Sequence, residues 1–108
     1  MMIATFCRVC GYEPEEAPWG ESGQQPTYQY CPCCNTQFGV TDAVFEQIQA
    51  ERKAWIEAGM PWRSKRYAQP EDWNPLEQIG LIPYQFVNLK EEPELVRALA
   101  SRPKDEES

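Results

Sequence analysis

Five cysteines near the start of the chain constrain its fold more than any other sequence feature. They form two groups separated by twenty residues, Cys7-Arg8-Val9-Cys10 and Cys31-Pro32-Cys33-Cys34. Two cysteines with two residues between them can present both sulfurs to one metal ion from a tight turn. Two such pairs complete the tetrahedral shell that zinc prefers. The spacing therefore predicts one structural zinc ion, bound by the outer cysteines of the two groups: Cys7, Cys10, Cys31 and Cys34.

The residue after each group supports this choice of ligands. Gly11 and Asn35 follow the last cysteine of the first and second group. Both residue types tolerate a positive φ angle, which lets backbone N–H groups point at the thiolate sulfurs. Cys33 then lies in the middle of its turn, and we expect it not to bind the metal ion.

These residues resemble the motifs of known zinc proteins. Cys7-Arg8-Val9-Cys10-Gly11-Tyr12 and the second cysteine group are similar to the two cysteine turns of rubredoxin-like zinc ribbons. The second group also resembles that of the small bacterial cysteine-rich CPCC proteins. The resemblance covers roughly residues 5–40 and implies a β-ribbon with two cysteine turns. It implies no particular activity.

Other uses of the cysteines remain open at this point. Iron in the same cage would serve electron transfer, as in rubredoxin, and the ligand types do not exclude it. A redox dithiol in the second group would leave the first pair unexplained. A catalytic zinc ion keeps an open position and usually has a His or carboxylate ligand, whereas this chain contains no histidine. We therefore expect no enzymatic activity.

Length and charge limit the compartment and the partners. The 108 residues indicate one domain. A formal net charge of −7 disfavours nucleic acid and favours a protein partner with a basic surface. No apolar stretch is long enough to span a membrane, and residues 1–7 do not resemble a signal peptide. We expect a cytoplasmic protein, in which cysteines are thiols or metal ligands rather than disulfides.

Three short β-like runs accompany the cysteines and predict strands: Ile3–Phe6, Thr27–Tyr30 and Phe38–Val40. The expected fold is α+β. It has an N-terminal zinc-ribbon β-hairpin over residues 1–40 and short helices over residues 41–100 that pack on it as one domain. Residues 101–108 are charged and are expected to form a disordered tail.

The sequence after residue 41 predicts three helices: about 42–58, a short segment from Pro75 to Gly80, and 93–100. Thr41 or Asp42 is expected to cap the first helix, and Asn74 the second. Trp55 lies on the apolar face of the first helix and is expected in the core. The apolar stretch 81–89 is expected to be extended.

The sequence favours a non-enzymatic protein-binding module, such as a small adaptor or inhibitor. Trp19 lies in a loop between a proline and a glycine and is the expected exposed anchor, since tryptophan is enriched in interface hot spots. The alternative is a nucleic-acid-associated zinc ribbon. It would use the basic and aromatic side chains of residues 62–67, which are Trp62, Arg63, Lys65, Arg66 and Tyr67.

Overall fold

The structure is a computed structural model that describes residues 5–101. It contains three α-helices, Phe45–Glu57 (α1), Pro75–Gln78 (α2) and Pro93–Ala100 (α3). Three short 3₁₀ helices lie between α2 and α3, at Ile79–Leu81, Tyr84–Phe86 and Leu89–Glu91. No helix in this described range has the length and apolar character needed to cross a membrane. Residues 102–108 of the predicted tail lie outside the described residues.

The predicted α+β fold with an N-terminal β-hairpin ribbon is wrong. Tyr30 and Gln37 form an isolated antiparallel bridge, and residues 5–101 contain no strand. Tyr28 has a φ angle of 62° and Gly39 one of 92°. This left-handed backbone interrupts the extended conformation that a strand needs, so two of the predicted runs do not form strands. The other run, Ile3–Phe6, lies partly outside the described residues.

Helix α1 begins later than the sequence pattern predicts. It starts at Phe45, and neither Thr41 nor Asp42 caps it. The Asp42 carboxylate instead accepts hydrogen bonds from the Gly39 backbone N–H at 2.7 Å and from the Trp19 indole N–H at 2.9 Å. Asp42 therefore fixes the loop before the helix rather than the first helical turn.

Helices α2 and α3 begin where the sequence predicts. The Asn74 side-chain oxygen accepts from the Leu76 N–H at 2.9 Å, and Pro75 occupies the first position of α2. Helix α3 covers the predicted residues 93–100. The stretch 81–89 is not extended as predicted, because it contains the tight turn Tyr84–Phe86.

One hydrophobic core joins the cysteine turns to the helices. Its most deeply buried members come from both halves of the chain: Cys7, Val9, Cys10, Cys31, Cys33, Phe38, Ile48, Trp55, Ile79 and Leu95. Trp55 is fully buried, as predicted, and its indole N–H donates to the Pro61 carbonyl at 2.8 Å. Helix α1 also packs directly against α3. The cysteine turns are therefore part of the core and not a separate module.

Candidate metal centre

Each cysteine pair lies in a turn closed by two backbone hydrogen bonds. In the first turn, the Gly11 N–H donates to the Cys7 carbonyl at 3.0 Å, and the Cys7 N–H donates to the Tyr12 carbonyl at 2.7 Å. The second turn repeats the pattern, and its Asn35 N–H donates to the Cys31 carbonyl at 2.8 Å. Gly11 and Asn35 have φ angles of 87° and 68°. The predicted left-handed conformation at both positions is confirmed.

The two turns bring four sulfur atoms together. The Sγ atoms of Cys7, Cys10, Cys31 and Cys34 all lie within 4.8 Å of one another. The Cys7–Cys34 and Cys10–Cys31 Sγ–Sγ distances are both 3.7 Å. A tetrahedron with metal–sulfur bonds of about 2.3 Å has edges of about 3.8 Å, whereas a disulfide needs about 2.05 Å. The four side chains are 0–4% exposed. They could therefore hold one metal ion away from solvent.

Burial raises the pKa values of three of these thiols, whereas hydrogen bonds outweigh burial at the fourth. Burial raises the pKa of Cys7, and it raises the pKa values of Cys10 and Cys31 well above the usual range. Burial also acts to raise the pKa of Cys34, but hydrogen bonds from the other three thiols and the Thr36 hydroxyl outweigh it and lower that pKa. Four thiolates in so small a buried volume repel one another, so a cation is needed to stabilise them together.

Arg52 of α1 holds the first cysteine turn in place. Its Nε donates to the Val9 carbonyl at 2.8 Å, and its Nη2 donates to the Arg8 carbonyl at 2.6 Å. Its Nη1 forms an ion pair at 2.5 Å with Glu92, and both side chains are at most 1% exposed. Arg8 and Val9 lie between the first two cysteines, so these bonds fix the turn that presents both sulfurs. The helical pattern places Arg52 on the buried face of α1, but nothing in the sequence indicates its partner.

Gln78 of α2 contacts both cysteine turns. Its Nε2 donates to the Cys10 carbonyl at 3.1 Å and to the Cys33 sulfur at 3.2 Å. Its Oε1 accepts from the Trp73 indole N–H at 2.7 Å. Cys33 is fully buried but is not one of the four clustered cysteines. That Cys33 does not bind the metal ion stays a prediction.

Arg8 is enclosed by two aromatic rings. Its guanidinium carbon lies 3.9 Å from the centroid of the Trp19 ring and 4.2 Å from that of Phe86. The Trp19 indole N–H also donates to Asp42. The Trp19 side chain is therefore half-buried between partners within the chain. The expectation of an exposed Trp19 anchor is therefore wrong.

The basic and aromatic segment 62–67 lies against the second cysteine turn. The Arg63 N–H donates to the Cys33 carbonyl, and the Ser64 N–H donates to the Pro32 carbonyl, both at 2.9 Å. The segment that the sequence singles out is thus attached to the candidate metal centre through its backbone.

Two uncharacterized proteins of Bacillus subtilis (strain 168) are similar to this chain. YozI is 32% identical over an alignment of 82 residues, and the match covers 61% of this chain and 64% of YozI. YoaQ is 30% identical over an alignment of 81 residues, and the match covers 61% of this chain and 64% of YoaQ. The chain thus spans about 64% of the length of these curated relatives. No protein-family model and no solved structure matches the chain, so the resemblance to the CPCC proteins stays a prediction.

Proposed function

We propose that this chain is a non-enzymatic protein-binding module whose fold is held together by one structural zinc ion. The observation that carries the proposal is the cluster of four buried sulfurs from Cys7, Cys10, Cys31 and Cys34. An all-sulfur ligand set with this separation suits zinc, and structural zinc sites are usually closed by four protein ligands. Iron with the same ligands is the competing metal, and it would indicate electron transfer.

Burial of the cluster supports a structural role for the metal ion. Catalytic zinc ions keep one position open for water or substrate. Here four thiolates would fill a tetrahedral shell, and their side chains are 0–4% exposed. A metal ion in this position would be closed to substrate, which supports a protein that binds rather than catalyses.

Charge and exposed aromatic rings support a protein as the partner. The chain has 17 acidic and 10 basic residues, so most of a nucleic acid strand would face repulsion. Several tyrosines are more than half exposed, namely Tyr28, Tyr30, Tyr67 and Tyr84. Tyrosine is among the residues that supply most of the energy in protein interfaces.

Metal identity is tested by the absorption spectrum and metal content of the purified protein. Zinc in this site leaves the protein colourless, whereas iron bound by four thiolates absorbs visible light and colours it red. We expect a colourless protein that contains zinc. A red, iron-loaded protein would instead support electron transfer.

Partner type is tested by affinity capture from the source cell, followed by binding of the captured protein in purified form. A gel shift with single-stranded RNA and DNA at several salt concentrations runs in parallel. We expect a stable protein complex and no shift. Salt-sensitive nucleic acid binding without a protein partner would contradict the proposal and favour the nucleic-acid alternative.

A further inference from the structure

An open cleft of about 940 Å³ lies between the second cysteine turn and the segment 62–67. Its walls include Tyr12, Tyr30, Cys31, Pro32, Trp62 and Tyr67. A cleft of this volume can hold a short stretch of extended polypeptide, on the order of a few residues. It is a separate surface feature from the buried sulfur cluster, although both include the second cysteine turn.

The charge of this cleft is opposite to that of the whole chain. Three basic residues line it, Arg63, Lys65 and Arg66, against one acidic residue, Glu15. The chain as a whole carries a net charge of −7. The buried Arg52 and Glu92 side chains form the one ion pair among residues 5–101. The three basic side chains at the cleft therefore form no ion pair with a carboxylate in this part of the chain. Cations without carboxylate partners on an acidic protein form a local site for an anion.

Aromatic rings lie beside these cations. The Tyr30 and Tyr67 side chains are 57% and 54% exposed. The Arg66 guanidinium carbon lies 5.4 Å from the centroid of the Tyr67 ring. Tyrosine and arginine together provide apolar contact area and paired hydrogen bonds to carboxylates, the combination that recurs in protein interfaces.

Three hydrogen bonds within the segment 62–67 order the backbone of the cleft wall. The Ser64 side-chain oxygen accepts hydrogen bonds from the Arg66 N–H at 3.1 Å and the Tyr67 N–H at 2.9 Å. The Trp62 indole N–H donates to the Tyr67 carbonyl at 2.9 Å, which closes the segment on itself. A rigid wall loses little conformational entropy when a ligand binds.

We propose that this cleft binds a short acidic segment of the partner protein, whose carboxylates contact Lys65 and Arg66 and whose apolar side chains contact Tyr30 and Tyr67. The inference rests on the proposed function, because it names the surface and the ligand chemistry of that protein-binding module. Binding of an acidic segment in the cleft is separate from the attraction between the acidic remainder of the surface and a basic partner.

A peptide fits this cleft better than a nucleic acid strand does. A nucleic acid carries a negative charge at every nucleotide, and beyond the cleft it meets the acidic remainder of the protein. A protein segment can carry a few acidic residues where it meets the cations and neutral residues elsewhere. Charge complementarity therefore favours the acidic peptide.

The cleft also depends on the candidate metal centre. Its wall is attached through the hydrogen bonds from Arg63 to the Cys33 carbonyl and from Ser64 to the Pro32 carbonyl. If the second cysteine turn opens when the metal ion is removed, the wall loses these attachment points. Peptide binding is therefore expected to require the metal-loaded protein.

The test uses fluorescence anisotropy with the metal-loaded full-length chain. The probe is a short fluorescein-labelled peptide of alternating glutamate and tyrosine, and the comparison probes are the lysine–tyrosine counterpart and single-stranded oligouridylate. The double variant Lys65→Glu/Arg66→Glu is compared with Lys53→Glu/Lys90→Glu. Both change the net charge equally, and Lys53 and Lys90 are exposed residues that do not line the cleft.

We expect the wild type to bind the glutamate–tyrosine peptide in preference to both comparison probes. The cleft variant should bind it about tenfold more weakly or worse, and the control variant should stay within about twofold of the wild type. Equal losses in the two variants, or no binding by metal-loaded wild type, would overturn the inference. Tighter binding of oligouridylate that displaces the peptide would overturn it in favour of nucleic acid. Metal content and partner capture, measured separately, show whether the proposed function stands when this inference fails.

Discussion

At the scale of single residues, Arg52 connects three separate segments of the chain. It donates to two carbonyls of the first cysteine turn, forms an ion pair with Glu92, and donates to the Phe86 carbonyl at 3.0 Å. Glu92 in turn accepts from the Asn88 N–H at 2.9 Å. A buried ion pair stabilises a fold only while both partners and their hydrogen bonds are present.

Replacement of Arg52 by methionine should strongly destabilise the metal-loaded protein. It leaves the Glu92 carboxylate buried without its counter-ion and two turn carbonyls without donors. The free energy of unfolding should therefore fall by about 3–5 kcal/mol. The matched control is Lys53→Met on the exposed side of the same helix, which should change stability by about 0.5 kcal/mol or less. Urea denaturation measures both. Similar effects of the two substitutions would show that the ion pair and hydrogen bonds of Arg52 do not stabilise the fold.

The backbone conformation of single residues could be predicted from the sequence, whereas contacts between residues far apart in the chain could not. Gly11 and Asn35 adopt the expected positive φ because their conformational freedom is a property of the residue itself. Glu92 lies forty residues from Arg52 in the chain, and no local pattern indicates that the two side chains meet. Trp19 was likewise expected to be exposed, because the sequence does not indicate its contacts with Arg8 and Asp42, which form only in the folded chain.

At the scale of elements, α1 forms the scaffold on which the cysteine turns pack. Ile48, Arg52 and Trp55 form its buried face. Trp55 is fully buried, and its indole N–H is satisfied by the Pro61 carbonyl. Helix α1 therefore connects the sulfur cluster, the ion pair with Glu92 and α3.

The Trp55→Ala substitution should lower the free energy of unfolding by about 3–5 kcal/mol, because it leaves a large cavity in the core. Tyr84→Ala is the matched aromatic deletion at a site that is 86% exposed, and it should cost about 0.5 kcal/mol or less. Thermal and urea unfolding of the metal-loaded variants provide the comparison. If Trp55→Ala costs less than about 1 kcal/mol, this account of the core is wrong.

Element boundaries followed the sequence where a local signal set them. The Asn74 cap and Pro75 specify the start of α2, and the cap is present as expected. Asp42 failed as a cap because Gly39 and Trp19 use its carboxylate. The expected strands Thr27–Tyr30 and Phe38–Val40 did not form. Their β-like composition describes side chains that suit a half-buried surface, whereas the backbone at Tyr28 and Gly39 is left-handed.

At the scale of the whole molecule, the candidate metal centre lies inside the only hydrophobic core of the described residues. All five cysteines belong to that core, together with residues from α1 and α3. Zinc binding contributes roughly 10–16 kcal/mol to the folding free energy of small zinc domains, whereas the free energy of unfolding of a protein domain is about 5–15 kcal/mol. The metal ion should therefore be essential for the fold.

Removal of the metal ion by a chelator at neutral pH should unfold the protein or lower its melting temperature sharply. Near-ultraviolet circular dichroism reports the packing of the tryptophans, and addition of zinc should restore it. The control is the same chelator already saturated with zinc, which should have no effect. A chelated protein with an unchanged spectrum and melting temperature would mean that the core is stable without the metal ion.

Native mass spectrometry of the wild type, Cys34→Ser and Cys33→Ser shows whether the chain binds a metal ion and which cysteine of the second group is a ligand. Cys33 and Cys34 are adjacent and both buried, so the two substitutions differ mainly in which sulfur they remove. We expect one zinc ion per chain in the wild type and in Cys33→Ser, and its loss in Cys34→Ser. A folded wild type that takes up no metal ion in excess zinc would show that the four clustered cysteines do not form a zinc site. The reverse pattern, with zinc lost in Cys33→Ser and kept in Cys34→Ser, would contradict the assignment of the ligands.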